Sequence, residues 1–225
     1  MARFDRLQVL ESILDTGLLP MFDSEDVGIA ERIVAACVAG GAKVVEFRNR
    51  GEQGFLTFAE LLKRVRNSES DAILGAGSIV DAPTAALYLA CGANFIVGPS
   101  LNAEVAKLCN RRKVPYSPGC GSVSEISNAE ELGCEIVKVF PGKEVGGPSF
   151  VKAVLGPMPW VRIMPTGGVE STEASLKAWF AAGVACVGMG SNLVTKELLK
   201  AGDYAGIAAK VKDTLDLIRK IRGGK

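Results

Sequence analysis

The chain contains no histidine, and that absence removes much ordinary enzyme chemistry. Zinc loses its commonest nitrogen ligand, and a serine or cysteine nucleophile loses the base that would complete a triad. The six cysteines, at 37, 91, 109, 120, 134 and 186, include no pair at metal-knuckle or redox spacing. Scattered through an alanine-rich chain, they read as reduced, mostly buried thiols and set the expectation of a cytoplasmic protein. A charge excess is missing too. With 26 basic and 25 acidic residues the formal charge is +1, which gives neither nucleic acid nor an anionic membrane a partner surface. No apolar run is long enough to span a bilayer, and Asp5, Glu11 and Asp15 interrupt the N-terminus too early for a signal peptide. Aromatics make up only 6% of a chain that is 48% hydrophobic, so the core is expected to be aliphatic strands packed on alanine-rich helices. No metal and no cofactor are expected, and no Gly-x-Gly-x-x-Gly fingerprint follows the first strand.

What is present is an alternation of short apolar runs and helical stretches from end to end. Arg6–Thr16 reads as a leading helix and Leu18–Phe22 as a first strand. A helix follows over Ser24–Gly40, with Glu25 and Asp26 in its first turn. Further strands are expected at Lys43–Asn49, Ala72–Ser78, Phe95–Pro99, Tyr116–Pro118, Ile136–Phe140, Arg162–Pro165 and Cys186–Gly188. Helices are expected over Phe55–Arg66, Pro83–Cys91, Asn102–Lys113, Ser124–Leu132, Glu173–Ala182 and about Ala205–Ile221. Ser122 and Glu125 have the spacing of a capping box. Eight βα units in 225 residues fit one α/β domain over 1–225, a single (β/α)₈ TIM barrel with an extra N-terminal helix. An open doubly wound sheet is the alternative.

In such a barrel the C-terminal strand ends surround the active site. The strand Ile136-Val137-Lys138-Val139-Phe140 carries one lysine in an apolar run. Burial would lower its pKa and supply a free amine able to attack a carbonyl and form a Schiff base. Alternatively its stem packs on the core while its head reaches water. On the second strand, Glu46, Arg48 and Arg50 share one face, opposite Val45 and Phe47. The charged set is expected in the barrel mouth, with Glu46 held ionised by the guanidiniums and able to relay protons, or else as an ion-pair cluster that braces the barrel. Glycine pairs after the last two strands, in Thr166-Gly167-Gly168 and Gly188-Met189-Gly190-Ser191, suit a phosphate site built from backbone N–H groups and a short helix N-terminus, helped by the Thr166 and Ser191 hydroxyls. Cys120, without a histidine partner, reads as a packing thiol.

Glu46-x-x-x-Arg50, Gly75-Ala76-Gly77-Ser78, Gly98-Pro99, Lys138-Val139-Phe140-Pro141 and Pro165-Thr166-Gly167-Gly168 follow in the order found in 2-keto-3-deoxy-6-phosphogluconate (KDPG) aldolases, also called 4-hydroxy-2-oxoglutarate (KHG) aldolases. The chain resembles that family from Leu18 to Asn192. The resemblance implies a metal-independent class I aldolase of carbohydrate metabolism, Entner–Doudoroff in type, that is a homotrimer. It would cleave a 2-keto-3-deoxy-6-phospho sugar acid, or 4-hydroxy-2-oxoglutarate, to pyruvate and an aldehyde. By the same resemblance Lys138 forms the imine and Glu46 is the acid/base. Arg50 and Ser78 bind the pyruvyl carboxylate, Pro99 and Phe140 line the pocket, and Thr166, Gly167, Gly168 and Ser191 hold phosphate. The partner is then a small anionic substrate, pyruvate plus an aldehyde or their aldol. Arg48 stands where the family usually has a small residue, often threonine. It either binds a second anionic group of the substrate, pairs with Glu46, or folds away. Two other readings stay open: a phosphate-binding barrel epimerase or synthase in which Lys138 is not a nucleophile, and a non-catalytic anion-binding barrel.

Overall fold

The computed structural model describes residues 2–68 and 70–223; the ends of the expected 1–225 domain, Met1, Gly224 and Lys225, and the single residue Glu69 lie outside the described residues. The chain opens with helix α1 (Arg6–Thr16), capped by a reciprocal Asp5/Gln8 box and ended by Gly17 in the left-handed conformation. Then come β1 (Leu18–Phe22), α2 (Val27–Ala39), β2 (Val44–Arg48), α3 (Gly54–Asn67), β3 (Ile73–Gly77), α4 (Ala82–Cys91), β4 (Ile96–Val97), α5 (Ala103–Arg112), β5 (Tyr116–Ser117) and β6 (Gly119–Cys120). The second half holds α6 (Val123–Glu131), β7 (Val137–Val139), α7 (Gly147–Leu155), β8 (Ile163–Pro165), α8 (Glu173–Ala181), β9 (Val187–Met189), α9 (Lys196–Ala201) and α10 (Tyr204–Arg222).

Every strand pair is parallel. Six strands form a curled sheet in the order β5-β4-β3-β2-β1-β9, and three form a second sheet, β6-β7-β8. The order runs sequentially along the chain and places the last strand beside the first, unlike an open doubly wound sheet, whose order reverses at a switch point. The continuous eight-strand cylinder expected from the sequence therefore appears as two sheets. Pro118, which has no N–H to give a ladder, separates β5 from β6. β8 meets β9 only through a bridge between Thr166 and Gly188.

Side-chain alternation divides the apolar residues between two cores. Leu18, Phe22, Val45, Phe47, Leu74, Ala76, Val137, Val139 and Val187 face the helices. Leu19, Val44, Ile73, Phe95, Val97, Ile136, Met164 and Cys186 face inward, and α1 closes that inner core with Val9, Leu10 and Ile13. The inner core is thus apolar at the N-terminal end of the strands, beneath α1. The next inward positions along the strands include Met21, Glu46, Lys138 and Thr166.

Two local expectations change. Helix α2 starts at Val27 rather than Ser24, because the Asp26 carboxylate accepts the Ile29 N–H at 2.8 Å and so ends the non-helical segment. Glu25 and Asp26 precede the first turn. Ser122 caps α6 as expected, but Glu125 reaches back to the N–H of Gly121 at 2.8 Å. No helix among the described residues is long and apolar enough to cross a membrane.

Candidate active site

Lys138 sits at the centre of β7, between Gly119 on one neighbouring strand and Met164 on the other. Val137 and Val139 take the helix-facing positions, which forces Lys138 inward, where it is only 5% exposed. Its Nζ lies 4.8 Å from the centre of the Phe140 ring. Burial holds its pKa below the usual lysine value; the Glu46 charge opposes that shift, while Arg48 and Arg50 reinforce it. The snorkelling alternative is therefore excluded: the amine is inside.

Glu46 enters the same interior from β2 and is 1% exposed. It fits because β3 carries glycine beside it: a Cβ on Gly77 would lie 1.8 Å from Oε1 of Glu46. Two guanidiniums were expected to keep this carboxylate ionised. Burial has the larger effect and raises its pKa, with Lys138, Arg48 and Arg50 pulling the other way. A raised acid and a lowered amine bring the two proton affinities closer together, as suits a pair that exchanges protons.

Arg48 does not pair with Glu46. It forms an ion pair with Asp23, one residue past β1, and Arg50 Nη1 lies 4.0 Å from the same oxygen. Arg50 is the more exposed of the two arginines. Ser78 follows β3 with φ of 59°, a left-handed conformation that is uncommon for serine and sets its hydroxyl at the rim. Gly119 leaves room for the Pro99 carbonyl, which would stand 2.1 Å from a Cβ there.

At the far side, Gly167 and Gly168 have φ of 88° and 73° and form the turn after β8. The Gly142 N–H donates to the Thr166 carbonyl at 2.8 Å, joining the loop after β7 to this turn, and the Asn192 side-chain amide donates to the Val169 carbonyl at 2.7 Å, tying the two glycine-rich turns together. Neither turn is a helix N-terminus, since α8 starts at Glu173 and α9 at Lys196. An anion here would be met by turn amides and hydroxyls.

One cavity of about 240 Å³ is lined by every candidate residue named from the sequence: Glu46, Arg48, Arg50, Ser78, Pro99, Lys138, Phe140, Thr166, Gly167, Gly168 and Ser191. Gly188 and Gly190, the second glycine pair expected from the sequence, line it too; Met21 and Asn192 also line it and were given no role from the sequence, nor was Asp23, the partner of Arg48. Asp23 sits one residue past a strand end, the one signal that would have marked it. Cys120 is buried, with its thiol pushed up to about 12, as a packing residue would be. Among the described residues no group of three or more Cys, Asp or Glu side chains is placed to hold a metal.

The model of the family described as KDPG and KHG aldolase matches residues 9–210. The chain belongs to that family. Family membership makes the protein a class I aldolase, a carbon–carbon lyase, and displaces the epimerase or synthase reading. The 2-dehydro-3-deoxy-phosphogluconate aldolase of Treponema pallidum (strain Nichols) is 30% identical over 212 residues, covering 94% of this chain and 98% of the relative. The KHG/KDPG aldolase of Escherichia coli (strain K12) is 31% identical over 208 residues, covering 92% and 94%. The solved KDPG aldolase of Legionella pneumophila, with pyruvate captured at low pH as a covalent carbinolamine, superposes with a TM-score of 0.83 at 26% identity over 92% of this chain and 98% of that one.

Proposed function

We propose that this family member cleaves a 2-keto-3-deoxy-6-phospho sugar acid or 4-hydroxy-2-oxoglutarate to pyruvate and an aldehyde, with Lys138 as the imine-forming residue. The observation that carries the reading is a lysine 5% exposed, lowered in pKa, beside an equally enclosed Glu46 of raised pKa. The neutral amine of Lys138 attacks the substrate's 2-keto carbon to give a carbinolamine, and loss of water gives the imine. The protonated imine draws electrons from the C3–C4 bond. That bond breaks as the Glu46 carboxylate, directly or through a water, takes the C4 hydroxyl proton, leaving an aldehyde and an enamine. Glu46 then returns that proton to C3, and hydrolysis releases pyruvate and frees Lys138.

Arg50 and Ser78 take the pyruvyl carboxylate, Pro99 and Phe140 form the walls, and Thr166, Gly167, Gly168 and Ser191 receive a distal phosphate. All line the one cavity, which supports assigning them to one substrate. Arg48 lies among them. The protein acts as one domain over 1–225, and its two sheets are arcs of one closed eight-strand barrel. Two features support that closure: β5 and β6 are one strand interrupted at Pro118, and the Thr166–Gly188 bridge joins β8 to β9. The homotrimer rests on the family resemblance, and the cytoplasmic location on the six cysteines, all of them free thiols.

The test is the intact mass of the protein after incubation with pyruvate and borohydride, beside a Lys138→Ala control. The expected result is a reduced pyruvyl adduct on the wild type and none on the variant. A folded wild type that forms no adduct removes the imine mechanism.

A further inference from the structure

Asn49 and Tyr88 have no part in the reaction as described above, yet they meet directly behind the residues that take the pyruvyl carboxylate. The Tyr88 hydroxyl, carried on α4, donates to Asn49 Oδ1 at 2.8 Å. Tyr88 is fully buried, and its ring packs on two aromatic side chains of α3, with centroids 5.0 Å from Phe58 and 5.8 Å from Phe55. Gly54, the first residue of α3, makes room for the contact, since a Cβ there would stand 3.0 Å from Asn49 Oδ1. Burial pushes the Tyr88 phenol up to about 12, so its hydroxyl keeps its proton and remains a donor. The tyrosine is thus fixed at both ends, the ring by packing and the hydroxyl by its one polar partner.

That hydrogen bond secures the join between two strands. The Asn49 N–H donates to the Gly77 carbonyl at 2.8 Å, just beyond the Arg48–Gly77 pairing that ends the β2–β3 ladder. Arg50 follows Asn49 and Ser78 follows Gly77, so the bond stands immediately before both carboxylate-binding residues, on neighbouring strands about 4.8 Å apart. The Gly77 carbonyl shares a peptide plane with the Ser78 N–H, and fixing that plane constrains the Ser78 φ of 59°. On the far side of Ser78, the Ile79 N–H donates to the Val97 carbonyl at 3.1 Å. A left-handed serine persists only where its surroundings determine it. Arg50 is 59% exposed, so packing confines its side chain little and the direction in which its backbone leaves β2 decides where it reaches. Alternation turns Arg48 and Arg50 to the barrel mouth and Asn49 toward the helices, where Tyr88 grips it from behind. Gln53, at the start of α3, makes no side-chain capping bond that would hold the segment after Arg50 instead.

We propose that the Tyr88–Asn49 hydrogen bond sets the spacing and direction of Arg50 and Ser78 as a clamp for the pyruvyl carboxylate, which makes Asn49 and Tyr88 positioning residues for the keto-acid end of the substrate. The inference rests on the aldolase reading above and on the role given there to Arg50 and Ser78. Neither Asn49 nor Tyr88 is needed to place Lys138 or Glu46, which stand on β7 and on the inward face of β2. Losing the bond therefore weakens capture of a carboxylate and leaves the attack of the amine on a bound ketone as it was.

The experiment follows borohydride-trapped adduct against ketone concentration for pyruvate and for methyl pyruvate, its uncharged ester, in the wild type, Tyr88→Phe, Asn49→Ala and the double variant. The wild type is expected to trap pyruvate at a lower half-saturating concentration than the ester. Tyr88→Phe and Asn49→Ala should each raise the half-saturating pyruvate concentration by about tenfold, equivalent to about 1.4 kcal/mol, with the maximal trapping rate and the methyl pyruvate curve unchanged. The double variant should match either single change, because the two residues act as one unit. A pyruvate curve unmoved in both single variants, an equal loss for pyruvate and its ester, or additive shifts in the double variant would overturn the proposal. The wild type separates the underlying readings. With no adduct the aldolase mechanism fails, and the proposal with it. Equal trapping of acid and ester removes the carboxylate clamp itself. Discrimination in the wild type that survives both substitutions removes only the role given to Asn49 and Tyr88.

Discussion

The carboxylate of Glu46 occupies the space a side chain at position 77 would need, with its carboxyl carbon 2.4 Å from where a Cβ on Gly77 would stand. Glycine at 77 has an ordinary φ, so its role is room rather than backbone freedom. Gly77→Ala must push Glu46 from its place while leaving Lys138 untouched. The variant is expected to trap pyruvate with borohydride but to exchange the pyruvate methyl protons at least about tenfold more slowly, within the range that a positioned acid/base contributes. Deuterium uptake followed by NMR reads this directly, and unchanged exchange would mean that Glu46 is not the proton carrier.

The electrostatics of Lys138 give a signed pH dependence. Only the neutral amine attacks, so imine formation should rise with pH and level off below the ordinary lysine pKa of about 10.4, because burial lowers it. The Glu46 charge supports the ammonium form, so Glu46→Gln should move the inflection further down. The Arg48 charge opposes that form, so Arg48→Met should move it up. Rates of adduct formation across pH check both signs. Shifts in the same direction in the two variants would contradict the arrangement.

Much of this site is legible in the sequence because strand alternation is a strong constraint. Once Val137 and Val139 face the helices, Lys138 has to face inward, and Val45 and Phe47 fix Glu46 in the same way. The long apolar strands and well-capped helices were readable for the same reason. Helix α7 was harder, because Gly146, Gly147 and Pro148 open it and resemble loop sequence. The short α9 has no buried residue and so no apolar periodicity to reveal it. The raised pKa of Glu46 was missed because sequence shows which charges are near but not how deeply they are buried. The pairing of Arg48 with Asp23 joins two strands whose register no local pattern reveals.

Cys120 lies on β6 beside the lysine strand, in register with Val139, and is the cysteine closest in topology to the chemistry. Burial, with a smaller contribution from Glu125, pushes its thiol up to about 12, so almost none is thiolate at neutral pH. Iodoacetamide at pH 7.5 should leave Cys120 unmodified in the folded protein while modifying it under denaturing conditions, as peptide mass mapping would show. Rapid native labelling of Cys120 would contradict its burial.

Arg6 offers a test at the opposite end of the molecule. It stands in the first turn of α1, with Nε 2.7 Å from Glu135 Oε1 and Nη2 2.9 Å from Oε2, a two-pronged pair. It also donates to the Asn110 side chain and to the Gly133 carbonyl, each at 2.8 Å. These bonds fasten α1, and with it Val9, Leu10 and Ile13, over the inner core beneath Lys138. Arg6→Ala removes four charge-assisted donors from a partly shielded site and should cost about 2 kcal/mol. Urea unfolding should show a lower midpoint with an unchanged slope, while kcat at temperatures below the transition stays at the wild-type value. A fall in kcat without loss of stability would instead mean that α1 communicates with the strand carrying Lys138, whose preceding segment begins at the Glu135 that Arg6 holds.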